Sequence, residues 1–236
     1  MEKYIGIIGA MDEEVSALIQ HLTDPEPIAA PFRDLPMFKG RLRDRSVIIA
    51  RCGIGKVNAA LCSQFMIDRF PLQALINTGV AGGISPLLEL GDLVISANAI
   101  HHDFDTRNFG YDRGTIPSMN VRSFPADPQI QKEALQIAKH IMGAERVHLG
   151  LVVSGDQFVS STDQKNEIVQ FFPDALCVEM EGAAIAQAAY VNRIPYVIIR
   201  SISDKADNTA PDDFDAYLDK VIPKLNEVVR ELVSTI

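Results

Sequence analysis

Residues 4–22, YIGIIGAMDEEVSALIQHL, decide how the chain is read. Residues 4–10 are apolar and rich in isoleucine with no alternating polar position, so a strand built from them has no face to give to water. The chain then passes through Asp12, Glu13 and Glu14 into Val15, Leu18, Ile19 and Leu22. Those apolar residues recur at helical spacing, and acids in a first turn complement the helix dipole. A doubly covered strand running into an amphipathic helix is the repeating step of an α/β fold.

The same step recurs outward. Residues 47–50, 74–77, 93–96, 147–153, 176–178 and 196–200 read as further strands, most of them equally continuous in their apolar character. FKGRLRDRSVIIA, residues 38–50, reads as a hairpin turning at Arg43 to Arg45, which makes the sheet mixed. Helical spacing returns in Ile130, Ala134, Ile137, Ala138 and Ile141, opened by Asp127 as N-cap and Pro128 at the first helical position, and closed at Gly143. A last helix from about residue 212 carries Leu218, Val221, Ile222, Leu225, Val228, Val229 and Leu232, with a kink expected at Pro223. No repeat or linker divides the chain. The expectation is one α/β domain over residues 1–236, a three-layer αβα sandwich around a central mixed β-sheet.

Charge and cysteines narrow the function classes. With 22 Lys and Arg against 31 Asp and Glu, the net charge of -9 repels nucleic acid and anionic lipid, and neither is expected as a partner. Cys52, Cys62 and Cys177 are odd in number and form no C-x-x-C pair, which fits reduced thiols in a cytoplasmic protein. The first apolar run is too short for a signal peptide and leads into acids, and no later stretch is long enough to span a bilayer.

Residues 101–124 form the one long irregular stretch, and Phe104, Phe109, Tyr111 and Pro117 within it favour a functional loop. HHDFD, residues 101–105, offers potential metal ligands, but adjacent histidines in a strand point to opposite faces and no third cluster completes a set, so no metal is expected. CGIGK (52–56) and NTGVAGG (77–83) match neither a P-loop nor a dinucleotide fingerprint. They read as strand-to-helix turns whose glycines admit a ligand close to the backbone. Three acidic sites fall beside strand ends: Asp12 to Glu14 in GAMDEEV, Glu179 and Glu181 in VEMEGA, and Asp204 in RSISDKAD, the last placed just past its strand. Each acid alone has a structural use at a helix start or turn. Together, along one edge of one sheet, they suggest a site.

The motifs GIIGAMDEEV, GIGKVNAA, NTGVAGG, SGDQFV, VEMEGAAIA and RSISDKAD occur in this order over nearly the whole chain. In this the chain resembles the 5'-methylthioadenosine/S-adenosylhomocysteine nucleosidases of the purine nucleoside phosphorylase and uridine phosphorylase superfamily. The resemblance implies a nucleoside phosphorylase-like fold, a homodimer, no cofactor, and hydrolysis of the adenine to ribose bond of 5'-methylthioadenosine, S-adenosylhomocysteine and 5'-deoxyadenosine in methionine salvage. It implies Asp204 as the acid that protonates adenine N7, Glu14 as the base that activates water, and Arg200 as the group that orients that water and the carboxylates. It implies Glu181 on the ribose hydroxyls, Met180 against the sugar, and Glu179 beside them. Phe158 would stack on adenine while Val159 reads its edge, with Val80, Ala81, Gly82 and Ser203 completing the substrate contacts. Met11, Ile54 and Phe214 would enclose the 5'-thioether, with Phe109 and Pro117 reaching in from the partner subunit.

Val80 departs from the serine of some members, and some members also cleave 6-amino-6-deoxyfutalosine, so the preferred substrate stays open. Two other readings are a phosphorylase of the same fold, which would need cationic and hydroxyl ligands on the glycine turns, and a non-catalytic nucleoside binder, which need not keep Glu14 and Asp204 together.

Overall fold

The computed structural model of the chain describes residues 2–31 and 35–236. The first half holds β1 (Tyr4–Gly9), α1 (Asp12–Gln20), β2 (Thr23–Pro27), β3 (Met37–Leu42), β4 (Arg45–Arg51), α2 (Lys56–Arg69), β5 (Leu72–Gly83) and β6 (Leu93–His101). After a loop come β7 (Phe124–Pro125), α3 (Pro128–Met142), β8 (Val147–Ser154), α4 (Thr162–Phe171), β9 (Ala175–Glu179), α5 (Gly182–Asn192), β10 (Tyr196–Asp204) and α6 (Ala210–Thr235).

The described strands form one mixed sheet in the order β10-β6-β8-β9-β5-β1-β4-β3-β2, with β7 on β6. β10 also pairs with β5, so β5, β10, β6, β8 and β9 close on themselves while β1, β4, β3 and β2 extend outward. Continuous apolar runs have the meaning expected of them. Ile5 and Ile7 pack under α1, α3 and α6 on one face, and Ile8 packs with α2 and α5 on the other. All three isoleucines are at most 1% exposed, so the strand has no wet side.

Local signals held in several places. Arg43 and Asp44 both take positive φ, 51° and 62°, the two-residue turn whose twist suits a hairpin. The Asp127 side chain accepts from the N–H groups of Gln129 and Ile130, each at 3.0 Å, and opens α3. α6 begins at Ala210 and runs through Pro223 to Thr235 as one helix. Several strands depart from expectation: β6 runs on to His101 beyond residues 93–96, and the short β7 was not expected. β2 was missed because its residues, TDPEP, are all exposed and two are prolines. β5 is far longer than residues 74–77, since the glycines read as a turn continue the strand. β10 continues past Arg200, and Asp204 is its last residue rather than the first beyond it.

Candidate active site

The site exists because β5 changes neighbours. β1 pairs with it only as far as Ile8 on Asn77, then leaves to begin α1. β9 joins the same strand further on, with Val178 on Gly82 and Cys177 on Gly83. Between these two pairings the backbone of residues 78–81 has lost one partner strand and not yet met the next. A cavity of about 510 Å³ opens there. β9 runs antiparallel to β5, so Glu179 and Glu181 reach the cavity from the direction opposite to Glu14 and Asp204. The sequence had placed all three acidic sites on one edge of an open sheet; closure of the sheet is what brings them together.

Glu14 fills the gap. It is the third residue of α1, and its carboxylate folds back to accept from the N–H groups of Ala10 at 2.6 Å and Met11 at 3.0 Å, donors that a helix start leaves unpaired. Its other oxygen accepts from the N–H of Val80 at 3.0 Å, which β1 no longer serves. Burial pushes the Glu14 carboxyl up, while Arg200 and the three N–H groups work in the opposite direction.

Arg200, on β10, is 1% exposed and lies behind the cavity wall rather than in it. It donates to Asn77 Oδ1 at 2.6 Å, pairs closely with Glu179, and stands 4.0 Å from Glu181. Burial opposes its charge, but Glu179, Glu14 and Glu181 outweigh it and raise its pKa. Gly79 makes this approach possible: a Cβ there would collide with Arg200 Nη1 and Glu14 Oε1 and lie 2.9 Å from Glu14 Cδ. Glu179 also accepts from the Ser154 hydroxyl and the N–H groups of Glu181 and Gly182, fixing the start of α5. Glu181 accepts from the Gly55 N–H at 2.8 Å, and burial followed by the charge of Glu179 pushes its carboxyl well up.

At the other end, Asp204 accepts from the Ala206 N–H at 2.8 Å and the Ser203 hydroxyl at 2.9 Å. Burial raises its carboxyl, with Asp213 and Asp207 adding to the effect. Phe158 and Val159 line the cavity beside Val80, Ala81 and Gly82, and the Phe158 ring meets Phe214 edge-on at 5.9 Å. Met11, Ile54, Met180 and Phe214 add apolar side chains to the same lining. Phe109 and Pro117 do not line this cavity: Phe109 projects from a short 3₁₀ turn, Arg107–Phe109, and is 80% exposed. HHDFD is divided among other tasks, with His101 on Gln187, Asp103 on Lys56 and Asp105 on Arg107. Among the described residues no group of three His, Cys, Asp or Glu is placed to hold a metal.

Sequence reading missed Ala10, Gln157, Val178 and Pro211 in the wall, and Asn77 and Ser154 behind it. Polar residues in otherwise apolar strands, as Asn77 and Ser154 are, were the available signal.

The Phosphorylase superfamily model matches residues 4–234. A 5'-methylthioadenosine/S-adenosylhomocysteine nucleosidase of Staphylococcus aureus (strain JH9) is 40% identical over 230 residues, covering 98% of this chain and 99% of the relative. Among solved structures, the nucleosidase of that name from Neisseria meningitidis, in complex with methylthio-immucillin-A, superposes with a TM-score of 0.94 at 37% identity, covering 99% of this chain and 100% of the other. The enzyme from Colwellia psychrerythraea, in complex with adenine, gives 0.93 at 35% identity, covering 99% and 95%. By its fold, its near full-length identity and its structural neighbours, the chain belongs to the phosphorylase superfamily and, within it, to the 5'-methylthioadenosine/S-adenosylhomocysteine nucleosidases.

Proposed function

We propose that the chain hydrolyses the N-glycosidic bond of 5'-methylthioadenosine and S-adenosylhomocysteine, releasing adenine and the 5-thio-substituted ribose. The observation that carries this is the pairing of Glu14 and Asp204 on one cavity that has, among its described lining residues, no lysine or arginine. Adenine leaves readily once N7 is protonated, and burial raises the Asp204 carboxyl, which favours its proton-bearing form relative to an exposed carboxylate. A carboxylate has about four acceptor sites. Three N–H groups occupy three of those on Glu14, which leaves one for a water beside the anomeric carbon. Glu181 would accept from the ribose hydroxyls and, with Glu14 and Glu179, favour the cationic sugar of the transition state. Arg200 acts on the carboxylates from behind.

A phosphate nucleophile would have to enter among these carboxylates. Unit charges about 4 Å apart in a partly buried site interact by roughly 4 kcal/mol, so each carboxylate standing where a phosphorylase needs a cation turns attraction into comparable repulsion. Water meets no such barrier. Methylthioadenosine should therefore yield free 5-methylthioribose at the same rate with and without phosphate, and methylthioribose 1-phosphate as the main product would refute the hydrolase reading.

The same reading includes a homodimer in which Phe109 and Pro117 close the 5' end of the partner's cavity. The 80% exposure of Phe109 supports it. Three buried free thiols fit a cytoplasmic protein, and among the described residues no helix is long and apolar enough to cross a membrane.

A further inference from the structure

We infer that the Lys56–Asp103 ion pair is a positioning device, which locks the ribose-side donor Gly55 and the base-side shelf at Phe158 into one frame. It rests on the reading that Glu181 binds the ribose hydroxyls. Three segments meet just outside the cavity: those after the neighbouring strands β6 and β8, and the one after β4, which lies further along the sheet beyond β9, β5 and β1. Asp103 accepts from Lys56 Nζ at 2.6 Å with one oxygen and from the Asp156 N–H at 3.0 Å with the other. Asp156 in turn accepts from the Lys56 N–H at 2.8 Å. Three residues thus form a closed ring of charged and charge-assisted hydrogen bonds. The Lys56 and Asp103 side chains are only 19% and 21% exposed, so the pair is better shielded from solvent than an ordinary surface bridge.

What the ring holds on each side gives it a role in the reaction. One residue before Lys56, Gly55 donates to Glu181 at 2.8 Å. Two residues after Asp156, Phe158 begins the base shelf. α2 has no cap from its own segment, because Gly55 at its N-cap carries no side chain; Asp156 supplies the acceptor from across the cavity mouth. Gly55 sits at φ 101°, and a Cβ there would come within 3.2 Å of Asp156 Oδ1. Beneath, His102 packs against Gly155 so closely that a Cβ on that glycine would lie 2.6 Å from His102 Cε1. The β8 segment is therefore held from below by His102 and from the side by Asp103. Neither Lys56 nor Asp103 lines the cavity, so neither is a catalytic residue.

Without the ring, Gly55 loses its fixed place and Glu181 loses its backbone donor, while Glu14 and Asp204 keep theirs. The defect should then appear only when the substrate carries the hydroxyls that Glu181 holds. The test compares methylthioadenosine with its 2',3'-dideoxy analogue in wild type, Lys56→Met, Asp103→Asn and the double variant. Each single variant should lower kcat/KM for methylthioadenosine about tenfold and for the analogue by less than about twofold, and the double variant should be no worse than either single one. The ratio between substrates cancels any loss of folded enzyme. Equal losses on both substrates, or none on either, would overturn the inference and leave the Glu181 reading intact. A wild-type enzyme indifferent to the hydroxyls would overturn the Glu181 reading and the inference with it.

Discussion

Gly79→Ala adds one methyl group where Arg200 and Glu14 press against the β5 backbone. Carbon atoms normally rest about 3.5–4.0 Å apart. The new Cβ would stand 2.9 Å from Glu14 Cδ and closer still to Arg200 Nη1 and Glu14 Oε1. Neither neighbour can give way easily: Arg200 is 1% exposed and tied to Asn77 and Glu179, and Glu14 is 2% exposed and tied to three N–H groups. Overpacking a rigid core costs about 1–3 kcal/mol. If relief comes by parting Arg200 from its carboxylates, the relevant figure is the roughly 3–5 kcal/mol of a broken buried pair. A loss of about 3–5 kcal/mol is expected, with kcat falling by more than about 10²-fold because both Glu14 and its neighbour are displaced. Gly83→Ala on the same strand is the control, since its nearest contact would be Ile202 Cγ2 at 3.3 Å, and it should cost less than about 1 kcal/mol. Urea unfolding at fixed protein concentration measures both. A Gly79→Ala protein as stable and active as Gly83→Ala would refute the claim that β5 must be bare there for Glu14 and Arg200 to converge.

Asp204→Asn should lower kcat by at least about 10²-fold while calorimetry finds methylthioadenosine bound within a few-fold of wild type; near-normal turnover would remove Asp204 as the acid. Glu14→Gln should be similarly impaired, and a loss confined to binding would make it a positioning group. The folded Asp204 carboxyl is raised above its ordinary 3.8, so its contribution to stability is full below that value and lost as pH rises through the folded one. Asp204→Asn should therefore be more stable than wild type at pH 7, with the gain fading toward about pH 4; a gain that grew on acidification would contradict the shift. Mixing Phe109→Ala with Asp204→Asn protomers should restore activity above either alone, because one of the two sites in the mixed dimer would have an intact acid and an intact lid, and absence of rescue would rule out a lid in trans.

Much of this molecule could be read from local pattern. Strands shielded on both faces announce themselves by unbroken apolar runs, as in β1 and β10, and α3 is bounded by residues with capping preferences of their own. What pattern could not give is pairing between distant segments. Closure of the sheet rests on two residue pairs between β9 and β5, and those residues, Val178, Cys177, Gly82 and Gly83, carry no mark of their partners. Asp204 was misplaced by the same blindness: a strand was expected to stop at Arg200, whereas pairing with β5 as far as Gly82 carries it on. Motif likeness named Arg200, yet its position behind the carboxylates depends on Asn77 and Glu179, which only the fold brings within reach.

The sheet closes at one end, and at the other its outermost described strand is β2. Open strand edges invite a second chain to add itself, the first step of aggregation. β2 answers with Pro25 and Pro27, which have no N–H to offer, and with Asp24 at φ 52° in a register break between Thr23 and Glu26. Asp24 and Glu26 add charge that an incoming strand would have to bury. The segment hardest to recognise as a strand is thus the one built to be a poor template, and replacing its two prolines with valine would turn a soluble rim into an adhesive one.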